Sequence, residues 1–452
     1  MNSTTTQAAI WATDPAHPIV ADGSLENFED TYVATSDFSA QQYAIMAVLA
    51  VPFVLSFHPK STVRKVLYFL PMLLLIKAWF VPGKTSWDYQ FGLLLTSWTW
   101  RVIDRLYFND PEATFHRVGI DDKPGHGPST YDPISKFIWA LELIVVTRGI
   151  GWNWQVSSIP PHTTTKKGPF LLMKLRKAVL TYLGLHLSVQ CSDFLLQLGA
   201  GTPPFPVPEM VQRVLLSTLF LHAFMYTSWA YMVYASLSLP ENLFALFFVG
   251  LGVGGKWAQP EAWPSVFGPI SKSYSFRSLW SKWWHQNCRR TCGTLGAFVV
   301  KKTPYLNKPQ TKTAKYTRRY LQVLCVFVLS GIIHAGGSIY MATRDGNFND
   351  GGNMMGFLYQ AAIMIAEDLV YQHLGLGQDA GAPSLSRRLL GYAYVHGYAL
   401  YAVPQLKVLK LAHDSGLVAA GGVYMPGVKM CGLGAHGIIK NPFTTLVGTL
   451  NN

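Results

Sequence analysis

Leu321-Gln322-Val323-Leu324-Cys325-Val326-Phe327-Val328-Leu329-Ser330-Gly331-Ile332-Ile333-His334-Ala335-Gly336-Gly337-Ser338-Ile339-Tyr340 contains no Lys, Arg, Asp or Glu. About 20 apolar residues suffice to cross the ~30 Å hydrocarbon layer as a helix. This stretch therefore reads as a membrane span with one titratable group, His334, well inside it. An ionisable residue at that depth marks a functional site by default. The composition extends the reading to the whole chain. Half of the 452 residues are hydrophobic and aromatics reach 13%. Charged residues make up 13%, against about 25% in soluble domains. The expectation is an all-α, polytopic integral membrane protein with eight or nine transmembrane helices and a re-entrant or interfacial segment.

Charge is unevenly spread around that span. Between Glu261 and Asp345 there are 13 Lys and Arg and no acid, and the rest of the chain is neutral. Such a patch suits anionic membrane lipids or the phosphates of a nucleotide-bearing substrate such as coenzyme A, and it also suits a cytosolic loop obeying the positive-inside rule. Nucleic acid is excluded as a partner by the membrane-like flanks. Five scattered cysteines form no disulfide framework. His285, Cys288 and Cys292 fall at helical spacing, but without a fourth ligand no metal site is expected.

Working outward, residues 1–40 form a polar tail with six acids and no Lys or Arg, expected to be flexible. A single polytopic domain follows over 41–452, with its core about 260–345. The first span, Gln42 to Phe57, precedes the first basic residues, Lys60, Arg64 and Lys65. Charge bias then places the N-terminus in the lumen, with the endoplasmic reticulum as the expected membrane. Further spans are expected at Val66 to Val81, Tyr89 to Leu106, Val179 to Leu198, Val214 to Pro240, Met354 to Leu374, Leu389 to Leu406 and Leu417 to Leu446. Val156 to Lys177 reads as a basic connector, and Asn242 to Gly255 as a re-entrant or kinked segment. Its Gly250-x-Gly252-x-x-Gly255 spacing matches a dinucleotide fingerprint by letters alone, with no strand-turn-helix around it. His116 and Asp121 match a histidine-four-residues-aspartate pattern in a loop and are set aside as a coincidence.

The second histidine sits in Ser275-Phe276-Arg277-Ser278-Leu279-Trp280-Ser281-Lys282-Trp283-Trp284-His285-Gln286. Its tryptophans suggest a helix at the membrane interface. Arg277, Trp280, the Trp284-His285 pair and Arg289, followed by Ser330, Gly331 and His334, resemble the wax-synthase-like branch of the membrane-bound O-acyltransferases. Arg148-Gly149-Ile150-Gly151-Trp152 and Ala366-Glu367-Asp368-Leu369-Val370 resemble segments of fungal natural-product members of that branch.

The resemblance implies acyl transfer from acyl-CoA, used as co-substrate with no permanently bound cofactor, to a lipophilic alcohol. It assigns His334 as the general base and His285 to substrate orientation or the oxyanion. Acetyl-CoA and a terpenoid or meroterpenoid alcohol in secondary metabolism are the expected substrates, with a long-chain wax or sterol ester synthase as the alternative. A thioester is already activated, so a base and an oxyanion donor are sufficient catalytic machinery. Arg277, Trp280, Arg289 and Arg290 are the candidate acyl-CoA-binding residues, because guanidinium forks match phosphate oxygens; contact with lipid headgroups is the plainer alternative. Glu367 and Asp368 need a partner within a span, and Arg148 is the expected one. A transporter using its intramembrane charges would show paired halves with matching broken helices, and no such pairing is present.

Overall fold

The computed structural model describes residues 38–405 except 83–87, 123–126, 161–163, 200, 346–352 and 374–383, together with residues 418–419 and 422–423. The longer helices run, in chain order, α1 Ala40–Ser56, α2 Leu70–Trp79, α3 Asp88–Val102, α4 Pro133–Val145 and α5 Lys167–Gly199. They continue with α6 Thr218–Leu251, α7 Arg289–Lys302, α8 Lys312–Asp345, α9 Asn353–His373 and α10 Leu385–Gln405. Strand pairing among the described residues is limited to Val418–Ala419 with Gly422–Val423 and an isolated bridge between Arg117 and Trp152. The expected flexible tail falls almost wholly outside the described residues, as does the last expected span apart from those few paired residues.

The helices are apolar on the outside as well as the inside. In α1 the small residues Ala40, Ala44, Ala47 and Val51 recur at helical spacing and are buried, whereas Ile45, Leu49 and Phe53 face outward, each about half exposed. The outer face of α5 carries Leu172, Val179, Leu180, Leu183 and Leu187, and that of α6 carries Leu243, Phe244, Phe247 and Leu251. In water such surfaces would drive aggregation; small residues inside and large apolar residues outside is the arrangement a lipid solvent favours. Among the described residues, three helices are long and apolar enough to cross a membrane: Lys167–Gly199, Thr218–Leu251 and Lys312–Tyr340.

Two of these three differ from the sequence expectation. α5 begins at Lys167, inside the stretch read as a connector, and α6 continues through Pro240 over the stretch read as re-entrant. The two extensions stabilise each other. Lys174 Nζ lies 2.6 Å from Glu241 Oε1, and Phe170 packs with Ala245 and Val249. Pro240 is accommodated because membrane helices re-satisfy a freed carbonyl locally. The expected span from Val66 to Val81 is divided between a short helix, Thr62–Leu67, and α2.

α8 is held on two sides by glycine contacts. A Cβ on Gly336 would collide with Thr96 Oγ1, and one on Gly92 with the Gly336 carbonyl and Tyr340, so α3 and α8 touch backbone to backbone. On the other side, a Cβ on Gly331 would lie 2.9 Å from Met354 Sδ of α9. The main core, with fully buried Trp139, Leu75 and Leu95, gathers α1 to α4 around Tyr340, whose hydroxyl donates to the Val81 carbonyl. These contacts fix the helix that carries His334.

Candidate active site

His334 lies in α8 four positions after Ser330, so its ring can reach back to the preceding turn. Nδ1 is 2.7 Å from the Ser330 carbonyl oxygen. A carbonyl only accepts, so Nδ1 carries the hydrogen, and in a neutral ring the lone pair sits on Nε2. The ring packs on Phe357 of α9 with centroids 4.5 Å apart.

His285 approaches from the segment between the Ser275 turn and α7. That segment is not the interfacial helix expected from its tryptophans. Ser275 caps a single turn, Phe276–Ser278, which continues as a π-helical turn over Leu279–Trp283. The wider turn fans Trp280, Trp283 and Trp284 inward. Trp280 packs on Phe327 and Phe357, and Trp284 on Trp280, Phe267 and Trp229. Phe357 thus touches both His334 and Trp280, while Trp284 and Phe267 lie against His285.

Burial lowers the His285 pKa to about 3, with further contributions from His334 and Arg148. It is therefore a neutral imidazole near pH 7, and its buried Nδ1 has no hydrogen-bond partner. Neither histidine counts as fully buried by exposed surface, although both are densely surrounded by protein.

Glu367 and Asp368 hold the segment in place. Glu367 accepts a 2.7 Å bond from the Phe276 amide, at the start of the Ser275 turn. Asp368 accepts from Arg277 at 3.1 Å, from Tyr320 at 2.9 Å, from Gln372 at 2.7 Å and from Arg319. The expected pairing with Arg148 is therefore incorrect. Arg148 donates instead to the Pro264 and Ser265 carbonyls, both at 2.8 Å, which removes it from any headgroup or phosphate as well. It is positioned by the left-handed turn at Gly149 and Gly151, where φ is +64° and +76°.

The four residues grouped for acyl-CoA binding are not brought together. Arg277 faces Asp368, and Trp280 belongs to the aromatic wall between the histidines. Arg289 and Arg290, at the start of α7, line a cleft of about 320 Å³ with Asp104, Phe108, Asn109 and Lys301. Both are partly committed. Arg289 donates to the Ser281 carbonyl, Ser158 and Gln286, while Arg290 forms two 3.0 Å bonds to Asp104. Asp121 is engaged by Arg117 and Tyr131, not by His116.

One polar cluster beside the site escaped the sequence reading. His396 of α10 has Tyr226 Oη 2.9 Å from Nδ1 and Ser273 Oγ 3.0 Å from Nε2. Ser273 donates to the Ile270 carbonyl, so it accepts from His396, and Tyr226 donates to Nδ1. The chain ties α6, α10 and the loop before Ser275 together. Its members lie far apart in sequence and share no local pattern.

The profile described as the membrane bound O-acyl transferase family matches residues 263–359, which hold both histidines. O-Mevalon transferase macI of Penicillium terrestre is 34% identical over 335 residues, 73% of this chain and 75% of that protein. O-Mevalon transferase yanI of Aspergillus niger is 31% identical over 401 residues, covering 86% and 89% respectively. Acetyltransferase AOL_s00215g273 of Arthrobotrys oligospora is 29% identical over 314 residues, covering 67% and 64%. No solved structure matches. On these likenesses, the chain belongs to the membrane-bound O-acyltransferase family.

Proposed function

We propose that this acyltransferase moves an acyl group from coenzyme A to a hydroxyl of a lipophilic terpenoid or meroterpenoid in secondary metabolism. His334 acts as general base and His285 as the neutral donor that orients substrate or meets the developing oxyanion. The observation that carries this reading is the tautomer of His334. Its Nδ1–H is committed to Ser330, leaving the Nε2 lone pair to take the alcohol proton. The alcohol oxygen then attacks the thioester carbonyl, the tetrahedral intermediate collapses, and the thiolate leaves and recovers a proton.

Acetyl from acetyl-CoA is the acyl group first expected. A second reading is favoured by two relatives above 30% identity that are both named O-Mevalon transferases. On that reading the donor carries a mevalonate-derived acyl group. Arg289, Arg290 and Lys301, around one cleft, are the acyl-CoA phosphate contacts best supported by position, while Arg277 pairs with Asp368 and Trp280 packs in the aromatic wall beside the histidines. The working picture is a single membrane domain after residue 40, with its core about 260–345 and eight or nine crossings in the endoplasmic reticulum.

Acyl-chain profiling tests it. Purified protein in detergent receives acetyl-, mevalonyl- and palmitoyl-CoA with a mixed extract of terpenoid alcohols, and acceptor-dependent release of coenzyme A is followed. Turnover of a short acyl group onto a terpenoid is expected; turnover of palmitoyl-CoA with a simple alkanol alone would replace the proposal with a wax or sterol ester synthase.

A further inference from the structure

Ser330 and Ser338 stand four residues before and after His334, so all three lie along one stripe of α8, with about 5–6 Å between successive Cβ positions. The hydroxyl of Ser338 is buried, in a residue only 3% exposed, and has no hydrogen-bond partner.

Hydroxyls on this protein's helices ordinarily satisfy themselves by donating to the carbonyl one turn back. Thr96 bonds Gly92, Thr99 bonds Leu95, Ser188 bonds Gly184 and Ser192 bonds Ser188. Ser338 has the same option at the His334 carbonyl and does not take it. A buried polar atom left unpaired is costly and rare, and a site that binds a polar ligand is a standard reason for one.

The surroundings fix which way Ser338 faces. Ala335, Gly336 and Gly337 separate His334 from Ser338, and the two glycines are pressed against Tyr89, Gly92 and Thr96 of α3. On the helix wheel Ser338 falls on the side of Gly331 and His334, which meet Met354 and Phe357, and not on the side pressed to α3. His285, whose buried Nδ1 is likewise without a partner, is close enough to His334 to interact with it electrostatically.

We propose that Ser338 is a substrate-positioning residue whose hydroxyl hydrogen-bonds an oxygen of the bound substrate one helical turn from the bond being formed. The inference rests on His334 as the reacting base. The chemistry it recognises is a hydroxyl or carbonyl oxygen beyond the reacting group, carried by the acyl chain or by the acceptor. A substrate lacking that oxygen leaves Ser338 unpaired, so the residue selects for oxygenated partners.

The test compares the parent with Ser338→Ala in detergent. The donor arm pits β-hydroxybutyryl-CoA against butyryl-CoA with geraniol as acceptor, and the acceptor arm pits terminally hydroxylated geraniol against geraniol with acetyl-CoA. In one arm the parent is expected to prefer the oxygenated compound by about 10-fold or more in kcat/KM, and the variant to lose that preference by slowing only on the oxygenated compound. The arm that responds identifies which substrate carries the oxygen. An unchanged preference in both arms, or equal slowing on all four compounds, overturns the proposal.

Thermal unfolding without substrate judges the hydroxyl separately. An unpaired hydroxyl predicts that Ser338→Ala keeps or raises the Tm; a lowered Tm would show that the hydroxyl is bonded within the protein, and the proposal would fall. Should the parent release no coenzyme A from any donor, the proposed function fails on that result, and the Tm comparison still decides whether Ser338 is unpaired.

Discussion

Replacing Lys174 by Met should destabilise the protein strongly, and replacing its partner as well should restore most of the loss. Lys174 is 1% exposed in α5, and its ammonium lies 2.6 Å from Glu241 of α6, whose side chain is 11% exposed. At an effective dielectric of about 20 the attraction at that separation is about 6 kcal/mol, most of which offsets the cost of desolvating two ions. Removing one partner leaves the other charge buried alone, a loss of about 3–5 kcal/mol. At about 2.1 cal/mol/K of unfolding entropy per residue, that corresponds to a Tm lower by about 3–5 °C for a chain of this length. The double variant, Lys174→Met with Glu241→Leu, replaces both charges by apolar groups and should unfold near the parent temperature or above it. Intrinsic tryptophan fluorescence during heating in detergent reads the parent, the single and the double variant in one format. Equal destabilisation by the double and single variants would refute the claim that pairing is what matters at this contact. A neutral Lys174→Met would refute the claim that the charge is buried.

Gly336→Leu should separate α3 from α8, because even a Cβ there collides with Thr96; a cost of at least about 1–3 kcal/mol and loss of activity are expected, read by Tm and coenzyme A release. Tyr226→Phe should remove the donor to His396 Nδ1 and lower stability by about 1–3 kcal/mol, visible as a fall in Tm. Acid sensitivity should have two separable parts. Burial acts to raise the Glu112 pKa, but hydrogen bonds from Arg64 and Lys136 outweigh it and hold the value below 4.5. Its contribution is therefore complete above about pH 4.5, disappears as pH falls through the depressed value, and should vanish from the pH profile of Glu112→Gln. His285 stays neutral in the folded protein down to about 3, while the unfolded chain takes up a proton below about 6.5. Stability should decline from pH 6.5 downward, and His285→Asn should flatten that part of the curve.

The elements legible in the sequence are those whose limits are written locally. The apolar stretch carrying Glu367 and Asp368 and the Leu389 to Leu406 segment correspond to α9 and α10 within a few residues, and the charge-free run before Tyr340 lies wholly inside α8, which starts earlier, at Lys312. α5 and α6 run further than the sequence pattern indicates, past a charge and a proline that argue against continuing a helix. Lys174 is tolerated only because Glu241 lies across from it, a pairing 67 residues apart that no one-dimensional pattern displays. Arg148 was given the wrong partner for the same reason: a cation deep in the fold needs acceptors, and two loop carbonyls served where a carboxylate was expected. The tryptophans before His285 signalled an interface, but a π-helical turn directs them into the protein. For the site itself, the depth of His334 and its nearness in sequence to the second histidine's segment single out the stretch that the family profile matches. The orientation of each ring, and the unpaired hydroxyl of Ser338, required coordinates.

The central claim is that His334 supplies the base. The most direct measurement is single-turnover release of coenzyme A by the parent and by His334→Ala, each with acetyl-CoA and a terpenoid alcohol extract and each checked for an intact thermal transition. A fall of about 10²- to 10⁴-fold in acceptor-dependent release, with folding unchanged, is the predicted result. Release at the parent rate from a folded His334→Ala protein would contradict the account and remove His334 from the mechanism.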